Sequence, residues 1–103
     1  MKIYGLKNCD TCRKAVKALT AELQDVRESP VSSEQLREFF TTFGDALVNT
    51  RSTTWRGLDA VERARPPLQL LADYPTLMKR PVIEENGNLH LGWGKDVQAK
   101  LLG

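Results

Sequence analysis

A chain of 103 residues with 41% hydrophobic content can build one modest core without disulfide staples, so a single domain over 1–103 is expected. Its 15 basic and 13 acidic residues leave a net charge of +2, too balanced for the footprint of a nucleic-acid binder. No apolar run approaches the roughly 20 residues that span a bilayer, and Met1-Lys2-Ile3-Tyr4 lacks a signal peptide's apolar stretch. A cytoplasmic monomer, bound to neither nucleic acid nor membrane, is expected.

Lys2 to Leu6 is a short β-prone run, followed by a loop over Lys7 to Asp10. From Thr11 the apolar positions Cys12, Ala15, Val16, Leu19 and Leu23 recur every three or four residues, which is helical periodicity. A second extended segment is expected from Gln24 to Glu28, before the turn at Ser29-Pro30. Ser32 and Gln35 match a capping box, and Leu36, Phe39, Phe40 and Phe43 mark the apolar face of a helix that stops near Gly44. Short helical pieces are expected over 45–48 and 59–65, whereas the threonine-rich stretch around Arg51 and Arg56 reads as a solvated loop. Pro66 disfavours helix at the residue before it, and Pro67 can open a helix through Leu68, Leu70 and Leu71.

The strongest local signal comes late. Pro81 to Glu85 and Asn88 to Leu91 are extended runs joined by Asn86-Gly87, the pattern of a two-residue hairpin with a primed turn. Alternation puts His90 on the face opposite Leu89 and Leu91, where an exposed position is expected. Val97, Leu101 and Leu102 then give a final amphipathic helix. The order is a βαβ unit, a helical insertion over roughly 32–75, and a ββα unit. That is a four-stranded mixed sheet flanked by helices, the thioredoxin-like (glutaredoxin-like) α/β architecture. Trp55, Trp93 and the three phenylalanines are expected in the core.

Cys9 and Cys12 are the whole thiol inventory, set three apart at the start of the first helix. Such a pair in a reducing compartment points to redox chemistry or a metal. Structural zinc needs four ligands, and one CxxC with the lone His90 cannot supply them; no metal and no bound cofactor are expected. The alternative of two buried apolar cysteines is less favoured, because a helix N-terminus stabilises a thiolate and Lys7, Arg13 and Lys14 add positive charge. Cys9, just outside the helix, is the better nucleophile. Cys12 either resolves a mixed disulfide or packs beneath the loop.

Gly5 to Ala15, with Leu47 to Arg56 and Leu77 to Val82, resembles the glutaredoxin-coupled arsenate reductases and their relatives, the Spx regulators and YffB-like proteins. The resemblance covers nearly the whole chain and is closest to the YffB-like branch through the Asn49-Thr50-Arg51 to Thr53-Thr54-Trp55-Arg56 run. It implies Cys9 as catalytic cysteine, Arg80 as an oxyanion-binding arginine beside it, and Pro81 as the cis-proline facing the loop. It also implies substrate contacts from Asn8, Asp10, Thr11, Arg13 and Arg51. Two departures stand out: Gly92-Trp93-Gly94 lies where the arsenate reductases carry a third arginine, and Cys12 lies where they carry serine, as the Spx branch does not.

The resulting expectation is a thiol oxidoreductase whose Cys9 thiolate forms a mixed disulfide, with glutathione as co-substrate, a small thiol or oxyanion as substrate, and glutaredoxin as a protein partner. The alternative is a Spx-like redox switch that binds RNA polymerase.

Overall fold

In the computed structural model, residues 1–103 are all described, and they divide into two compact units, Met1–Ser29 with Arg80–Gly103, and Pro30–Lys79. No helix is long and apolar enough to cross a membrane.

The first unit holds the sheet. Strands β1 (Lys2–Gly5), β2 (Glu22–Asp25), β3 (Val82–Glu85) and β4 (Asn88–Leu91) are ordered β2-β1-β3-β4. The β1–β2 pair is parallel and the other two are antiparallel, as the thioredoxin-like topology requires. Helix α1 (Asp10–Leu19) connects β1 to β2, and the last helix, Lys95–Leu102, follows β4. Ile3 pairs with Leu23 and Ile83, and Ile83 pairs with His90, so these four share one face of the sheet. Ile3, Ala15 and Ile83 are fully buried there, with Val16 and Leu19 of α1 and Val97 and Leu101 of the last helix against them. Burying each isoleucine contributes about 1.5–3 kcal/mol.

The Asn86-Gly87 turn has both residues at positive φ, 49° and 84°, the type I′ geometry that matches strand twist. Strand β2 lies two to three residues earlier than the expected segment Gln24 to Glu28. The reason is local: Glu28 and Ser29 amides both donate to the Asp25 carbonyl, which closes a turn after Asp25. His90 is not exposed. Its side chain retains only 14% of its accessible surface, with Nε2 3.9 Å from Glu85 Oε1, because its register with Ile83 puts it on the helix-covered face. Leu102, by contrast, is exposed.

The second unit is helical: α2 (Ser33–Phe43), α3 (Thr53–Arg56), α4 (Ala60–Arg63) and α5 (Pro67–Asp73), with 3-10 turns at Gly44–Leu47 and Pro75–Leu77; the last helix of the chain is thus α6. Both bonds of the Ser32–Gln35 capping box form, and α2 ends at Gly44, whose φ of 61° suits glycine. Phe39 is fully buried, while Phe40, Phe43 and Trp55 are half-buried. The threonine-rich stretch is a helix rather than a solvated loop. Ser52 caps it by accepting from the Trp55 amide at 3.1 Å, and Arg63 lies 5.4 Å over the Trp55 ring while donating to its carbonyl. Tertiary contact here overrides the weak helix propensity of threonine.

Candidate functional site

Strand β1 ends at Gly5 and the loop Leu6–Asn8 delivers Cys9 as the N-cap of α1, in extended backbone geometry (φ −95°, ψ 121°). The first turn of a helix leaves amides without intrahelical acceptors, and those of Thr11 and Cys12 are directed at the Cys9 sulfur, although no ordinary capping bond to a neutral side chain forms. Cys9 is half-exposed and Cys12 is buried, both as free thiols.

The two thiols diverge in acidity. Burial alone would raise Cys9, but it is outweighed by hydrogen bonds from the Cys12 amide and thiol and the Thr11 amide and by the charge of Arg80, so Cys9 lies below the ordinary thiol value. Burial pushes Cys12 up to about 11, and the hydrogen bond to Cys9 acts in the same direction. The arrangement is a more acidic thiol toward the surface with a less acidic one beneath it as donor.

Cys12 is held in place by the absence of a side chain at Gly5. A Cβ built on Gly5 would lie 2.4 Å from Cys12 Sγ, far inside contact distance, so the thiol rests directly on the β1 backbone.

Arg80 and Pro81 reach the site from the start of β3. Their peptide bond is cis, as the sequence resemblance implied; Pro81 is buried and its carbonyl accepts from Gly92 at 2.8 Å. Cys9, Cys12 and Arg80 are thus brought together. Asp10 and Thr11 open the helix. Asn8 and Arg13 are engaged in bracing the loop: Asn8 Oδ1 accepts from Arg27 at 3.1 Å and Arg13 Nε donates to the Lys7 carbonyl at 2.9 Å. Arg51 belongs to the second unit, where it lines a cleft with Asn49 and Lys79.

Sequence reasoning placed the turn after β2 at Ser29-Pro30 and missed the part played by Asp25. Asp25 is buried, and its Oδ2 accepts from the Lys7 amide at 3.0 Å while Oδ1 accepts from the Arg27 amide at 2.9 Å. These bonds, that of Lys7 foremost, hold the Asp25 carboxyl below its usual range. Lys7 and Glu28 form an ion pair over the same loop, which raises the lysine's pKa. The available signal was an aspartate at the end of an extended run, four residues before Ser29-Pro30, where a carboxylate commonly serves local amides.

A model of the ArsC family matches residues 4–101. An uncharacterized protein of Haemophilus influenzae is 42% identical over 94% of this chain and 95% of its own length. The regulatory protein MgsR of Bacillus subtilis is 31% identical over 98% of this chain and 89% of its own. A solved YffB protein superposes with a TM-score of 0.88 at 29% identity, covering 99% of this chain and 98% of that one.

Proposed function

Because this chain belongs to the ArsC family, we propose that it is a thiol oxidoreductase whose nucleophile is Cys9 and whose co-substrate is glutathione. One observation carries the reading: a half-exposed cysteine at a helix N-terminus, more acidic than an ordinary thiol, beside an arginine.

The Cys9 thiolate attacks one sulfur of a disulfide substrate. A Cys9 disulfide forms as the substrate's own S–S bond breaks, and the second sulfur leaves as a thiolate that takes a proton from water. A further glutathione, or a glutaredoxin thiol, attacks the mixed disulfide and returns Cys9 as thiolate. Arg80 stabilises negative charge on sulfur throughout. Cys12 hydrogen-bonds the resting thiolate; with its pKa near 11 it is a poor resolving nucleophile while it rests on Gly5.

The test is incubation with oxidised glutathione followed by mass analysis of intact and digested protein. A 1:1 adduct on Cys9, absent from Cys9→Ser, supports the reading. Recovery of a Cys9–Cys12 disulfide alone argues for a switch. The likeness to a regulatory protein favours that second reading, a redox-controlled regulator, and capture of RNA polymerase subunits by the oxidised chain would establish it.

A further inference from the structure

The segment that follows β2 leaves the sheet beside the loop that carries Cys9. Gly5 and Asp25 are register partners at the ends of the parallel strands β1 and β2, and the Val26 amide extends the ladder by donating to the Gly5 carbonyl at 2.9 Å. Past that bond the two segments stay in contact and exchange side chains. Lys7 of the loop pairs with Glu28 of the turn. Arg27 of the turn reaches back, its Nη2 donating to Asn8 Oδ1 at 3.1 Å.

The second of these contacts acts closest to the sulfur. Lys7 is already held at its amide by Asp25 Oδ2, at 3.0 Å, and at its carbonyl by Arg13 Nε, at 2.9 Å. Asn8 is the residue immediately before Cys9, the N-cap of α1, and the hydrogen bond that ties it is the one from Arg27. A charged donor strengthens that bond, and the planar guanidinium loses little freedom in making it. Both side chains are exposed, so the bond adds little to global stability. Its effect is local: a residue free to rock before the cap would let the sulfur drift from the unpaired amides of the first helical turn.

On the reading of Cys9 as the nucleophile, we propose that Arg27 and Asn8 are positioning residues, whose bond to each other holds Cys9 in register with the first turn of α1. Asn8 then serves the loop rather than the substrate contact that the sequence resemblance implied.

The test follows Cys9 with iodoacetamide, which is small and uncharged and needs no binding site, with the labelled cysteine identified by peptide mapping. Asn8→Ala and Arg27→Ala should each move the half-plateau of the rate up by about half a pH unit, a shift that one modest hydrogen bond can exert. At high pH, where the thiol is ionised in every variant, rates should stay within about twofold of the native chain, and melting temperatures should stay within about 2 °C. Asn8→Ala changes no charge, and the double variant should move no further than either single one. Arg27→Lys, which keeps a cationic donor, should recover a large part of the shift. An unchanged profile in both single variants overturns the proposal. So does a second, additive shift when Arg27 is removed from Asn8→Ala, which marks a bulk effect of charge. Slower adduct formation with oxidised glutathione at an unchanged iodoacetamide profile overturns it too, and makes Asn8 a substrate contact. Because iodoacetamide reports the sulfur without glutathione, a native chain that forms no glutathione adduct overturns the oxidoreductase reading and leaves these shifts to decide this one.

Discussion

At Cys9 and Cys12 the same element creates two opposite thiols, and the difference is measurable. Cys9 lies below the ordinary thiol value of about 8–9 because amide donors, the Cys12 thiol and Arg80 together outweigh burial. Its iodoacetamide rate should therefore rise with pH and reach half its plateau earlier than that of an ordinary free thiol, while native Cys12, at about 11, stays unlabelled across that range. Peptide mapping after a brief pulse at each pH checks this, and labelling of Cys12 ahead of Cys9 would contradict the assignment. Gly5 offers a second measurement. An alanine there places Cβ 2.4 Å from Cys12 Sγ, and overpacking of this kind costs about 1–3 kcal/mol. Cys12→Ala should recover a large part of that loss, so a double-mutant cycle by urea denaturation should show coupling of about 1 kcal/mol or more. Additive effects would mean that the thiol is not what the alanine strikes.

Among the elements, the turn that closes β2 governs the geometry of the cysteine loop. Asp25→Asn replaces one acceptor oxygen with a donor group, leaving either the Lys7 or the Arg27 amide unsatisfied. Losing such a bond at a buried site costs about 1–3 kcal/mol, and the loosened loop should let the Cys9 pKa climb toward the free value. Thermal melts and the thiolate absorbance near 240 nm read the two effects separately. The pH dependence has a defined sign: the Asp25 carboxyl is lowered in the fold, so its stabilisation is present above the unfolded value of about 3.9 and is lost as pH falls through the folded one. Asp25→Asn should accordingly flatten the acid limb of the stability profile. This turn also marks where the sequence reading was displaced, since it was expected at Ser29-Pro30 and closes on Asp25. The hairpin was legible because Asn86-Gly87 admits one turn type, and α2 because Ser32 and Gln35 cap it reciprocally. Strand β2 was displaced because Val26 is apolar and buried yet lies beyond the ladder, and α3 was missed because its stability comes from Ser52 and from Arg63 over Trp55. The nearness of Arg80 to Cys9 was expected from the CxxC and the Arg-Pro pair, whereas the bracing by Asp25, distant in sequence, required the pairing register to be known.

For the whole molecule, the family and the fold leave the choice of substrate to a few charges. Trp93 packs against the Ile3–Ile83 core, at a position where the sequence resemblance implied an arginine in the arsenate reductases. With that guanidinium replaced by a core indole, bidentate recognition of a tetrahedral oxyanion is diminished. Arsenate turnover with glutathione and glutaredoxin should therefore be poor or undetectable in a coupled NADPH assay, and brisk turnover would show that Arg80 and the helix N-terminus suffice. The seat of Cys12 on Gly5 has one more consequence. A sulfur at 0% exposure, with backbone where an attacking reagent would have to enter, can be labelled only when the sheet and α1 part. Cys12 is therefore a native clock for breathing of the sheet layer. In a Cys9→Ser background, the labelling rate of Cys12 divided by that of an open thiol gives the opening equilibrium directly, provided closing outpaces labelling. The protein carries its own probe of local unfolding, seated on the strand whose departure it reports.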